Sequence, residues 1–180
     1  MEKKISARDI AHIALFTALM AVCAWITIPF AVPFTMQTFA VMLAAAVLGT
    51  KRALISLILY LALGMIGVPV FSGFAGGFGV LAGPTGGYLI GFLPMALISS
   101  SMIGVMRRKL WTLCLAFVCG LIACYATGTI WYALIYMNGA GFAACSAALL
   151  ECVVPFLLPD AAKLVLAAWV SIRLDKIVRK

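Results

Sequence analysis

The chain has 180 residues, 66% of them hydrophobic, and carries a formal net charge of +8 from 13 Lys and Arg against 5 Asp and Glu; its mean hydropathy is +1.21. So few charges cannot coat a soluble globule of this size, so the composition excludes a water-soluble fold and reads as an all-α integral membrane bundle. No long polar block interrupts it, which excludes a separate ATPase module or soluble receptor head and leaves residues 1–180 as one transmembrane domain.

Crossing the hydrocarbon takes roughly 20 apolar residues, and on that measure the apolar runs predict six transmembrane helices. The first runs from Ile10 to Ile28. Lys3 and Lys4 ahead of it imitate a secretion signal, but Ala24 to Phe34 offers no small-x-small cleavage site, so the span is read as retained. Ala7, Ala11, Ala14, Ala18 and Ala21 recur along it at spacings of four and three, a small-residue face that lets another helix approach closely in lipid. That neighbour is either a helix of this chain or another subunit.

The second and third helices, Met36 to Gly49 and Ala53 to Gly67, look short. The segment that follows, Val68 to Leu89, is rich in Gly and Phe and carries no charge. Irregular apolar backbone at membrane depth is tolerated where it is buried in protein or lines a cavity. Its glycines let backbone come close to a ligand, and Phe71, Phe74 and Phe78 suit the faces of an apolar ring. The plainer reading is an interfacial hairpin with aromatic anchors. It is no phosphate loop, because the dipeptide Gly-Lys never occurs.

The fourth helix spans Gly87 to Met106, with Gly83, Gly87 and Gly91 forming a seam suited to internal packing. The fifth spans Leu110 to Met137, where Cys114, Cys119 and Cys124 serve as small apolar residues. Gly141 to Val154, with Glu151, is expected to form a short helix at the outer interface. Helix six starts near Pro159, a favoured first-turn residue, and ends near Ile172.

Twelve of the thirteen basic residues fall in four clusters: Lys3, Lys4 and Arg8; Lys51 and Arg52; Arg107, Arg108 and Lys109; Arg173, Lys176, Arg179 and Lys180. The loops around Pro29 to Pro33, Val68 to Gly86 and Asn138 to Gly141 have none. By the positive-inside rule both termini are cytoplasmic, and the net charge reflects topology, with no nucleic-acid partner implied.

The thirteenth basic residue, Lys163, lies three positions after Asp160 inside the last apolar stretch. Each charge costs about 2.5 to 3.5 kcal/mol at a helix centre, so the pair needs a functional or a mutual reason. Counted back from Arg173 along a helix, Asp160 lies about 20 Å deep, in the outer half of the membrane, beside the positive end of the helix dipole. The two residues are either a ligand-facing pair or a purely structural ion pair.

Four separated blocks, VPFTMQT at Val32 to Thr38, LYLALGMIGVPVF at Leu59 to Phe71, GPTGGYLIGF at Gly83 to Phe92 and PFLLPDAAK at Pro155 to Lys163, resemble the signature of the BioY family. The resemblance covers nearly the whole chain. It implies the biotin-binding S component of an energy-coupling factor transporter: a six-helix subunit of a prokaryotic cytoplasmic membrane that takes biotin from outside. It also implies partners, a transmembrane coupling protein and two cytosolic ATPases, with the small-residue face of helix one as docking surface. Biotin enters as transported ligand, and no cofactor is implied. One departure is Pro159, where the family usually has glycine before the aspartate.

The residues agree chemically with that implication. Biotin presents an apolar bicycle, a ureido edge with two N–H donors and one carbonyl, and an aliphatic chain ending in a carboxylate. Asp160 suits the N–H groups and Lys163 the carbonyl, or else Lys163 meets the biotin carboxylate. Tyr88, Thr85 and Gln37 are the polar residues of the family blocks near the outer ends of the helices, and Phe71, Phe74 and Gly83 complete the expected site. His12 is read as incidental, and the four tryptophans as interface or packing residues. The six cysteines include no C-x-x-C and lack companion clusters, so no metal is expected. Two other classes compete. A self-sufficient secondary carrier or channel would show duplicated halves with paired broken helices, and an intramembrane enzyme would show a nucleophile, base and orienting group; neither pattern is seen.

Overall fold

A computed structural model describes residues 6–29, 32–135 and 142–178. Readings placed on Lys3, Lys4, Arg179 and Lys180, on the end of span five at Met137 and on the loop after it lie outside the described residues. The helices are α1 Ala7–Trp25, α2 Gln37–Leu48, α3 Thr50–Met65, α4 Phe78–Leu81, α5 Gly86–Val105, α6 Leu110–Ile135, α7 Phe142–Cys152 and α8 Leu157–Val178. Between α1 and α2 the strands β1 Thr27–Ile28 and β2 Phe34–Thr35 pair antiparallel, Thr27 opposite Thr35.

Each of the six predicted stretches contains a helix, and α7 adds the short helix expected before Pro155. By length and composition, four helical runs among the described residues can cross a membrane: Ala7–Trp25, Gly86–Val105, Leu110–Ile135 and Ser146–Asp175. The shorter pair falls below that length, because 12 residues of α2 rise about 18 Å and 16 of α3 about 24 Å.

α2 is the axle of the bundle. Residues 40–48 are all buried, since the run AVMLAAAVL has no polar face to turn outward and its alanines let neighbours pack closely. It packs against α8, α5, α1 and α3. It then passes into α3 through the single residue Gly49, whose φ of 74° suits glycine.

The broadest helix pair is α5 with α6, and glycines make it possible. A Cβ on Gly87 would stand 2.2 Å from Trp131 Cβ, and one on Gly91 would stand 3.0 Å from the Cys124 carbonyl. From the other side, Gly120 faces Met95 and Ser99, and Gly128 faces the Tyr88 ring. The Gly87 and Gly91 seam is therefore internal packing.

Charges gather at one end. Arg52 meets Asp9 at 2.8 Å, tying the start of α3 to the start of α1. Arg108 meets Asp175 at 2.8 Å and donates to the Ala46 carbonyl at 2.9 Å, tying the α5–α6 connection to the ends of α8 and α2. Helices run alternately toward and away from this end, so the starts of α2, α5 and α8 meet at the other.

Candidate ligand-binding site

At that opposite end the described residues line a hollow of about 650 Å³, a volume that includes the open space at its mouth. Its wall is assembled from almost every element: Thr35 of β2, Gln37 and Thr38 of α2, Phe71 and Ser72 of the loop after α3, Val80 of α4, Thr85 just before α5, Tyr88, Leu89 and Phe92 of α5, Cys124 and Tyr125 of α6, Cys152 of α7, Phe156, and Asp160 and Lys163 of α8. Aliphatic and aromatic side chains dominate this wall, so water inside gains little and an apolar ring gains contact area.

Asp160 and Lys163 reach the cavity because α8 begins there. Pro155 lies in the 3₁₀ turn Val154–Phe156, and Pro159 is the third residue of α8, where its missing N–H has no intrahelical partner to lose. The following Asp160 sits in the first turn, where the helix dipole favours its charge. One turn later Lys163 lies on the same face.

The pair is dry and each ion has several protein partners. Asp160 and Lys163 are 3% and 5% exposed, and Nζ lies 2.8 Å from Asp160 Oδ1. That oxygen also accepts from the Thr38 hydroxyl at 3.0 Å, while Oδ2 accepts from the Tyr125 hydroxyl at 2.5 Å. Lys163 donates in addition to the Thr35 carbonyl at 2.6 Å and lies 3.8 Å above the centre of the Phe34 ring. Opposite charges at contact distance, a cation over an aromatic face and four hydrogen bonds offset the desolvation that either ion alone would suffer.

Hydroxyls complete the polar lining. Thr35 donates to Gln37 Oε1 at 2.9 Å, and Gln37 Nε2 donates to the Tyr60 hydroxyl at 2.5 Å. The Tyr88 hydroxyl, on a side chain 8% exposed, lies beside the Thr129 hydroxyl and the Cys152 thiol but forms a well-aligned hydrogen bond with neither. A poorly aligned bond recovers little of what a buried donor loses on leaving water.

Six of the eight expected site residues, Asp160, Lys163, Tyr88, Gln37, Thr85 and Phe71, come together on this one wall. Phe74 and Gly83 do not line it. Phe74 is 62% exposed and stacks on Trp25 with ring centroids 5.0 Å apart, outside the hollow. Gly83 is held by its carbonyl, which accepts from Trp131 Nε1 at 3.0 Å. Sequence reasoning passed over Thr38 and Tyr125, which hold Asp160, and the available signal was a hydroxyl in an otherwise apolar stretch of α2 and α6. On α1, Ala7, Ala11, Ala14 and Ala18 are exposed, while Ala21 is buried against the bundle.

Comparison with known proteins bears directly on this arrangement. The model of the BioY family matches residues 1–180. The chain belongs to the BioY family. It is 40% identical over 181 residues to "Biotin transporter BioY" of Thermotoga maritima, covering 94% of this chain and 97% of that protein. It is 37% identical to "Probable biotin transporter BioY" of Pyrococcus horikoshii, covering 95% and 98%. Among solved structures it is similar to the S-component for biotin from an ECF-type ABC transporter, with a TM-score of 0.83 and 25% identity over 98% of this chain and 95% of that one. The family is one of membrane transporters, not enzymes.

Proposed function

We propose that this chain is the biotin-binding subunit of an ECF-type importer, capturing biotin in the cavity at the start of α2, α5 and α8. The observation that carries the reading is a buried acid and base on the wall of an otherwise apolar hollow. Asp160 Oδ2 has one protein donor and room for another, which suits a ureido N–H, and the weakest of the Lys163 contacts, 3.4 Å to the Thr38 hydroxyl, is the one most readily exchanged for a ligand oxygen. Phe71, Phe92 and Phe156 supply faces for the bicycle. Thr85, Gln37 and Tyr88 are the further polar contacts, and the Tyr88 hydroxyl gains a better-aligned hydrogen bond when an acceptor enters. Biotin is the transported ligand, with no cofactor.

The relatives' names and the solved S component support this reading. In it α1, α2, α3, α5, α6 and α8 cross a prokaryotic cytoplasmic membrane, with the charged end inside and the cavity outside. The exposed face of Ala7, Ala11, Ala14 and Ala18 docks the transmembrane coupling subunit, and two cytosolic ATPases drive uptake. The decisive experiment is equilibrium binding of radiolabelled biotin to the purified chain in lipid nanodiscs. Saturable one-to-one binding, with a raised melting temperature, is expected. No binding to folded protein overturns the reading, and ATP-independent accumulation in pure proteoliposomes would replace it with a self-sufficient carrier.

A further inference from the structure

Helix α3 places no residue among those lining the cavity, yet it holds two of the segments that do. Tyr60, 1% exposed, carries the junction. Its hydroxyl donates to the Val70 carbonyl at 3.0 Å and accepts from Gln37 Nε2 at 2.5 Å. A phenol has one proton. Because that proton goes to Val70, the Gln37 amide must present its nitrogen to Tyr60 and its oxygen to Thr35, whose hydroxyl donates to it at 2.9 Å. One proton on α3 thus sets the sense of the hydrogen bonds as far as the Thr35 hydroxyl, and the carbonyl of that same residue, an acceptor in any case, holds Lys163.

The same helix seats the loop. The Phe71 ring stands edge-on to Tyr60 with centroids 5.5 Å apart and presses on Gly64, one turn further along α3, where a Cβ would lie 2.0 Å from the ring. The Gly64 carbonyl accepts from the Gly77 amide at 2.7 Å, so both ends of residues 70–77 are fastened to α3. Tyr60 and Gly64 touch the loop at Val70, Phe71 and Gly77, and Tyr60 also reaches α2 at Gln37.

We propose that Tyr60 is a positioning residue for the ligand site: its hydroxyl clamps Gln37 of α2 to the Phe71 segment, so that both walls are set before ligand arrives. The inference rests on the reading of the cavity as a biotin site. Losing the hydroxyl frees the Gln37 amide and the Val70 carbonyl together, and a wall that must be ordered on binding releases its ligand faster.

Hydrogen exchange and biotin kinetics on the full chain test this. In Tyr60→Phe, amides of residues 68–77 are expected to exchange faster without ligand while those of residues 91–103 keep wild-type protection, and biotin is expected to dissociate about tenfold faster. Gly64→Ala, which displaces the Phe71 ring but keeps the hydroxyl chain, should also raise the dissociation rate. Wild-type exchange rates in the Tyr60→Phe loop, or an unchanged dissociation rate, each overturn the proposal. A wild-type chain that binds no biotin would instead overturn the functional reading, and the ligand-free exchange comparison would still decide the clamp.

Discussion

Asp160 and Lys163 satisfy each other, which raises the question of whether the pair exists for the ligand or for the fold. A buried ion pair exchanged for apolar residues of similar volume is often neutral or stabilising, whereas removing one partner strands the other. The variant Asp160→Leu, Lys163→Met is therefore expected to melt within about 1.5 kcal/mol of wild type and to lose biotin binding. Retention of wild-type affinity would reduce the pair to a structural device. Asp160→Asn alone is expected to weaken biotin by about 2 kcal/mol, roughly thirtyfold, with a lower melting temperature because Lys163 is left without its counter-ion. Tyr88 behaves differently: its hydroxyl is only poorly paired, beside Thr129 and Cys152, so Tyr88→Phe should leave the stability of the chain within about 1 kcal/mol of wild type while weakening biotin. Equal affinity would show that the hydroxyl is idle. The charged pair was legible in the sequence because a charge in an apolar run has few explanations. Thr38 and Tyr125 were not, since a hydroxyl in a helix commonly bonds its own backbone, as Thr127 does to the Ala123 carbonyl at 2.8 Å. Phe74 shows the converse, for an aromatic in a glycine-rich loop carries no directional signal and here turns to Trp25.

At the scale of elements, hydropathy located the helices, and proline located the start of α8 to within two residues of Pro159. What it did not give was the partner of each helix. The α5 and α6 glycines announce close packing without naming the surface packed against, and only the fold reveals that Gly120 faces Met95 and Ser99. A Cβ at Gly120 would stand 2.2 Å from Ser99 Oγ and 2.8 Å from the Met95 carbonyl, and backbone yields less readily than a side-chain tip. Gly120→Ala is thus expected to cost about 1 to 3 kcal/mol by overpacking. Since Gly120 does not line the cavity, biotin affinity per folded molecule should stay at the wild-type value. A thermal melt in nanodiscs alongside ligand titration separates the two quantities, and unchanged stability would mean that the helices part at no cost.

For the whole molecule, the two ends carry different tasks. One end collects the ion pairs Asp9–Arg52 and Arg108–Asp175, and the other collects the cavity. Between them α1 leaves Ala7, Ala11, Ala14 and Ala18 outward, a surface on which lipid gains nothing from alanine but a closely approaching helix does. If that face docks the coupling subunit, bulk placed on it should block assembly and leave capture intact. Ala14→Trp is expected to bind biotin in nanodiscs as the wild type does, because an exposed indole is tolerated by lipid and the cavity lies elsewhere. In cells that supply the coupling subunit and ATPases, the same variant should lower biotin accumulation at least about tenfold, the loss expected when a small-residue contact is held apart by a large side chain. Co-purification of the coupling subunit should fall in parallel. Full uptake and full co-purification by Ala14→Trp, and again by Ala14→Trp combined with Ala18→Trp, would place the docking surface on another helix and leave the alanine face as lipid contact.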